Sequence, residues 1–229
     1  MPRTPRVQPG GYAYHVINRG NGGMELFEET ADYEAFERVL AEAAGHTRMR
    51  LLTSCLMPNH WHLVLYPRAT GDLGRYMHRV TTTHVRRWHE HRHTSGHGHL
   101  YQGTYKSFLI QQDRHLLAVC RYVERNALRA DLVGSGGRAE DWRFGGAWRR
   151  DHPEVVDGVP ELAAWPVDRP GHWRRLVNQP QNAKELEAIR ACIRRGRPWG
   201  DDAWQQRTAR RLNLGSTLRP RGRPRKDAK

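Results

Sequence analysis

The stretch LLTSCLMPNHWHLVLY, residues 51–66, contains the features that decide the fold. Leu51 to Met57 is a short apolar run typical of a strand, and Pro58-Asn59 is a turn signal. From His60 to Tyr66 the two faces alternate again, as in a second strand. The stretch therefore predicts a β-hairpin, in which His60 and His62 point to one face and Trp61 to the other.

Further strands and helices are predicted on both sides of this hairpin from the spacing of apolar residues. The resulting order, β-α-β-β-α-β followed by one more helix, is the split βαβ pattern of ferredoxin-like folds. We therefore predict an α+β fold with an antiparallel sheet and helices packed on one face. The predicted strands are 12–18, 51–57, 60–66 and 105–110, and the predicted helices are 30–44, 73–88 and 113–128.

The composition changes from residue 134 onwards, where Gly, Pro, Trp and Arg become frequent and periodicity is lost. We predict one domain over residues 1–133 and an irregular connecting segment over residues 134–182. A pair of helices is expected within residues 183–214, because 184–194 and 201–212 have helical spacing. Residues 215–229 are basic and broken by proline, and we predict a disordered tail.

The charge of the chain indicates a polyanionic partner. The sequence has 38 Lys and Arg against 24 Asp and Glu, a formal net charge of +14. Such an excess favours nucleic acid over a membrane, since no apolar run approaches the roughly 20 residues that span a bilayer. We expect a cytoplasmic, nucleoid-associated protein with no membrane partner. The three cysteines form no Cys-x-x-Cys pair and are expected to fill the core.

Two pairs of residues have the spacing of a catalytic site. The imidazoles of His60 and His62 share a strand face and can chelate a divalent metal, although a histidine-rich chain also produces such pairs by chance. Tyr122 and Asn126 lie four apart on a predicted helix, so they share a face. A tyrosine can be a covalent nucleophile, and an amide oxygen suits a hard cation. The alternative is a core-edge tyrosine and a helix-ending asparagine.

Three motifs in order resemble a known family. MPNHWHL (57–63) matches the HUH signature, and RYVERN (121–126) followed by LRA (128–130) is similar to that family's tyrosine helix. YQG (101–103) with YKSF (105–108) is similar to the strand before that helix. The chain resembles the single-tyrosine HUH transposases, most closely their REP-associated branch, from Tyr12 to Val133. It departs from the pattern at Ala127, where a proline that stops the helix is usual, and at Thr104, where a basic residue is usual.

The resemblance implies an enzyme that cleaves and rejoins single-stranded DNA containing hairpin repeats. Tyr122 is then the nucleophile of a 5′-phosphotyrosyl intermediate, and His60, His62 and Asn126 hold Mg²⁺ or Mn²⁺. Lys106 is the cation expected to help Tyr122 ionise, the alternative being an exposed strand lysine. A non-cleaving, hairpin-binding regulator and an unrelated His-x-His metal hydrolase remain as alternatives. The protein is expected to act as a monomer or a homodimer.

Two copies of Arg-Gly-Arg-Pro, at 195–198 and 221–224, resemble the core of an AT-hook and can lie in a DNA minor groove. We predict DNA contacts from six basic residues: Arg195, Arg197, Arg221, Arg223, Arg225 and Lys226. A turn between two helices is the alternative for the first copy, and a solvated tail for the second. Tryptophan-arginine groups at 142–144, 148–150 and 173–175 suit base stacking, or alternatively packing over the sheet edge.

Overall fold

The structure, a computed structural model, describes residues 8–96, 98–154 and 158–219. Its centre is a four-stranded antiparallel sheet in the order β2-β3-β1-β4, which confirms the predicted α+β, ferredoxin-like class. The strands are β1 (Ala13–Arg19), β2 (Arg50–Met57), β3 (His60–Tyr66) and β4 (Lys106–Ile110). The predicted hairpin is β2–β3, closed by Pro58 and Asn59 with Met57 opposite His60.

One face of the sheet is covered by α1 (Thr30–Thr47) and α2 (Asp72–His91). Their apolar sides pack against every second side chain of the strands, among them Val16, Trp61 and Leu63. Trp61 lies fully buried in this layer, and its indole N–H donates to the Tyr101 hydroxyl at 3.1 Å. No described helix is long and apolar enough to cross a membrane.

The second face is also covered, which corrects the prediction that the helices pack on one face. Here α3 (Arg114–Glu124) and α4 (Asn126–Arg129) lie over Leu52, Cys55 and Val64. The single helix predicted for 113–128 is interrupted at Arg125. With alanine at 127, the chain is helical again from Asn126, and this helix ends after Arg129. Asp131 adopts a left-handed φ of 57°, and the N–H groups of Asp131 and Leu132 bond the carbonyls of Leu128 and Ala127, a Schellman ending.

The chain after residue 133 folds back along the sheet. The segment predicted to be irregular contains α5 (Gly146–Asp151) and α6 (Trp173–Asn178), and it is followed by α7 (Ala183–Arg195), α8 (Asp202–Arg211) and α9 (Gly215–Leu218). It covers the outer edge of β2, where the Leu56 N–H donates to Phe144 O and the Ala163 N–H to Leu51 O. The Trp142 indole N–H donates to Leu56 O at 2.8 Å, so this tryptophan takes the packing role rather than a base-stacking one.

Candidate active site

The two histidines of the His-x-His motif lie on the sheet face that α3 covers. His62 pairs with Cys55 on one side and Ile17 on the other, at the centre of the sheet, and is 2% exposed. His60 lies at the start of β3, next to the turn, and is half-buried. The two ring centroids are 5.0 Å apart. Both imidazoles are therefore held close together by the strand geometry.

The hydrogen bonds of these histidines leave one ring nitrogen of each available. His60 Nδ1 lies 2.6 Å from Asn59 Oδ1, and His62 Nδ1 lies 2.8 Å from His15 Nε2. Neither Nε2 atom has a hydrogen-bond partner within the described residues. Burial lowers the pKa of His60 to about 4 and that of His62 well below its ordinary value, so both rings are neutral near pH 7. Neutral imidazoles with a fixed Nδ1 and a free Nε2 fit a divalent metal ion.

Tyr122 projects from α3 towards these rings. Its ring centroid is 5.8 Å from that of His62, in an edge-on arrangement, and the residue is 6% exposed. Burial raises the pKa of Tyr122, and the charges of Arg129 and Arg190 act in the opposite direction. The hydroxyl is thus protonated in the isolated protein, and the groups that favour its ionisation are arginines.

Asn126 lies one helical turn from Tyr122 and is buried. Its Oδ1 accepts a hydrogen bond from Arg129 Nη1 at 2.5 Å, while its buried amide nitrogen has no partner among the described residues. The Arg129 guanidinium also lies 4.6 Å from the centre of the Tyr122 ring. An amide oxygen has two lone pairs, so Asn126 can serve a cation with one of them while Arg129 occupies the other.

His15 is the residue of this site that the sequence reading missed. It is fully buried, with 0% of its surface exposed, and its ring lies between those of Phe108, His62 and Tyr122. Burial lowers its pKa to about 3, and its Nδ1 has no partner in the described structure. The alternation that places Tyr14 and Val16 in the core puts His15 on the opposite face, but only the β1–β3 register brings it to His62.

Lys106 lies at the edge of the sheet, on the face that carries His62. Lys106 lies opposite Ile17 of β1, which in turn lies opposite His62, so two strand spacings, about 10 Å, separate it from His62 on the same face. Its side chain is exposed. The cation that lies over the tyrosine ring is Arg129. A role for Lys106 stays a prediction.

The first Arg-Gly-Arg-Pro copy forms the turn between α7 and α8, as in the alternative reading. Gly196 ends α7 with a φ of 68°, and Arg195 and Arg197 are half-buried. Arg195 Nε donates to Thr217 O at 2.9 Å, and Arg197 Nε donates to Gln205 Oε1 at 2.6 Å. DNA contact through their other N–H groups stays a prediction. The second copy, with Arg221, Arg223, Arg225 and Lys226, lies outside the described residues.

The chain is similar to known proteins in sequence and in fold. Residues 10–126 match the family model described as "Transposase IS200 like". A solved REP-associated tyrosine transposase bound to a REP hairpin has a similar fold, with a TM-score of 0.53 and 14% identity over 80% of this chain and 100% of that one. A putative transposase from Deinococcus radiodurans gives a TM-score of 0.36 and 17% identity over 54% of this chain and 95% of that one. The search of curated proteins finds no match.

Proposed function

Because the chain belongs to the IS200-like transposase family, we propose that it cleaves and rejoins single-stranded DNA with Tyr122 as the nucleophile. The convergence of four side chains supports this proposal. The rings of His60, His62 and Tyr122 lie close together although they are far apart in sequence, and Asn126 is linked to Tyr122 through Arg129. A buried cluster of two neutral imidazoles, a phenol and an amide has the groups for phosphoryl transfer.

The chemistry follows from what each residue can do. The Tyr122 oxygen attacks the scissile phosphorus in line, a P–O bond to tyrosine forms, and the bond to the 3′-oxygen breaks. The phenolic proton passes to solvent, and the departing 3′-oxygen takes up a proton. Arg129, over the ring, stabilises the phenolate as it forms. A later 3′-hydroxyl attacks the phosphotyrosine, which restores the phenol and joins the strands without an external energy source.

His60, His62 and Asn126 are the residues that would hold a divalent metal ion, Mg²⁺ or Mn²⁺. When bound, such an ion polarises the phosphate and stabilises the leaving oxygen. The contribution of the chain is to hold the two histidines neutral, with Nε2 free, and to keep them next to Tyr122.

The proposed substrate is a strand that carries a hairpin. The solved REP-associated tyrosine transposase has a REP hairpin bound, and this chain covers that whole protein with a similar fold. The net charge of +14 is consistent with a polyanion of this kind.

A covalent-capture assay tests the proposal. The protein is mixed with labelled single-stranded oligonucleotides that cover hairpin repeats beside its own gene, with Mg²⁺ or Mn²⁺, and run on a denaturing gel. We expect a metal-dependent protein–DNA adduct that is lost in Tyr122→Phe and in His62→Ala. Tyr66→Phe is the matched control: Tyr66 is a half-buried tyrosine at the far end of β3, and the adduct should persist.

Each outcome assigns the function. An adduct that survives Tyr122→Phe would show that another residue is the nucleophile. Tight hairpin binding with no adduct under either metal would favour the non-cleaving regulator. Metal-dependent turnover of a small phosphodiester without DNA binding would favour a metal hydrolase instead.

A further inference from the structure

A row of arginines runs along the tyrosine helix. Arg121, Arg125 and Arg129 are spaced four apart, so they share one side of α3 and α4. Each donates to the end of α6 or to the segment that joins α6 to α7. Arg121 Nη2 bonds Gln179 O at 2.8 Å, Arg125 Nη1 bonds Asn178 O at 2.6 Å, and Arg129 Nη2 bonds Gln181 Oε1 at 3.2 Å. All these acceptors are neutral.

These charges lie close to one another without a carboxylate to neutralise them. Within the described residues, no ion pair involves the arginine row or Arg190 of α7. Arg92, Arg143, Arg150 and Arg174, in contrast, each pair with an acidic side chain. Burial and the neighbouring charges of Arg125 and Arg190 together lower the pKa of Arg129. Four uncompensated cations side by side repel one another, and a bound polyanion would remove that cost.

The row begins at the candidate nucleophile. Arg129 lies over the Tyr122 ring, and Arg190 is close enough to favour its ionisation. Arg125 and Arg121 follow at intervals of one helical turn, about 6 Å of rise for each step of four residues. This interval is comparable with the distance between neighbouring phosphates in an extended strand. Within the described residues, the hydrogen bonds of Arg121 and Arg125 each use one terminal nitrogen, which leaves the other terminal nitrogen for a ligand.

We propose that Arg121, Arg125 and Arg190 bind successive backbone phosphates of the DNA strand on one side of the scissile phosphate. The proposal rests on the proposed function for the identity of the ligand. The strand runs along the junction of α3 with the α6–α7 segment, and its contacts are to phosphate oxygens rather than to bases. The row thus sets which phosphate of a bound strand meets Tyr122 and carries no sequence preference.

Salt dependence of binding separates this role from a purely structural one. Affinity for a single-stranded hairpin oligonucleotide is measured in the Tyr122→Phe background, without metal, between about 50 and 200 mM salt. Removing one phosphate contact lowers the slope of log affinity against log salt by about 0.7 for single strands. We expect this loss in Arg190→Gln and Arg125→Gln. Arg125→Lys, which keeps the charge but loses the paired carbonyl bonds, should keep most of the slope.

Arg86→Gln is the matched control. Arg86 is an exposed arginine of α2, on the opposite face of the sheet, so the same loss of charge should leave the slope unchanged. Substrates with one neutral methylphosphonate then locate each contact. A methylphosphonate at a contacted position should weaken binding by the wild-type protein. The same methylphosphonate should not weaken binding further in the variant that lacks the arginine for that position.

The outcomes keep this inference distinct from the proposed chemistry. If the salt-dependence slope of both Arg190→Gln and Arg125→Gln equals that of the Tyr122→Phe protein, the proposed phosphate contacts are overturned. This holds even if the wild-type protein forms the tyrosyl adduct. An equal loss in Arg86→Gln would also overturn these contacts, because the effect would then reflect net charge alone. Reduced slopes that map to single phosphates would support the row, even if no adduct forms.

Discussion

Among single residues, His15 has the clearest consequence for the metal site. For His62 to bind a metal ion through Nε2, its proton must lie on Nδ1 and be donated to His15 Nε2, 2.8 Å away. His15 therefore holds both the orientation and the tautomer of His62. Loss of such a hydrogen-bond partner typically weakens metal affinity about 10- to 100-fold.

We predict that His15→Phe weakens Mn²⁺ binding at least about 10-fold, as measured by titration calorimetry. His15→Gln, which keeps an acceptor, should recover part of the affinity. Hairpin-DNA binding without metal should be equal in all three proteins, which checks that the fold is intact. Mn²⁺ affinity in His15→Phe equal to that of wild type would remove His15 from the site.

At the scale of elements, the predictable part of the structure is the part with local signals. The β2–β3 hairpin follows from its apolar pattern and its Pro-Asn turn, and the site histidines follow from strand alternation. Helical spacing places Tyr122 and Asn126 on one face, but it is the resemblance of the surrounding motifs to a known family that singles them out.

Features that depend on long-range pairing were not predictable. The position of His15 beside His62 follows from the β1–β3 register, which no single strand encodes. The helices on the second face contact β2 through residues more than 70 positions apart in sequence, such as Thr53 with Glu124, whose side chains share a 2.7 Å hydrogen bond. The sequence left two roles open for the tryptophans after residue 134, because stacking on bases and packing over a sheet edge favour the same residue types.

The contact between α5 and β2 provides a prediction at this scale. A Cβ added at Gly146 would lie 1.9 Å from Thr53 Oγ1, and that hydroxyl donates to the buried carboxylate of Glu124. Gly146→Ala must therefore displace either the helix or the hydroxyl. We expect a loss of about 3 kcal/mol in the free energy of unfolding, measured by urea denaturation, from overpacking and from the weakened hydrogen bond.

Gly45→Ala is the control for this prediction. Gly45 lies in the last turns of α1, and a Cβ there meets nothing within 4 Å. The substitution should stabilise the protein by about 0.5 to 1 kcal/mol, because it restricts only the unfolded chain. A Gly146→Ala protein as stable as wild type would mean that α5 is not packed against β2 as described.

For the molecule as a whole, the two-sided covering of the sheet buries histidines in both layers. His15 and His62 lie under α3, and His84 projects from α2 against Phe36 of α1, with its Nδ1 2.6 Å from the Tyr101 hydroxyl. Burial lowers the pKa of His84 to about 3, as it does for His15. Each ring is therefore neutral in the folded protein over a pH range in which the unfolded chain carries a proton.

This burial predicts an acid-labile fold. Below the ordinary histidine pKa of 6.5, the unfolded chain takes up protons that the folded protein excludes, so stability is full above pH 6.5 and falls as the pH decreases towards the folded values. Each buried histidine contributes about 1.4 kcal/mol per pH unit within that range. Urea denaturation at a series of pH values should show a smaller slope in His84→Gln, which can keep the bond to Tyr101 but does not titrate. The exposed His78→Gln should retain the wild-type slope, and an unchanged slope in His84→Gln would show that His84 is not the source of the acid sensitivity.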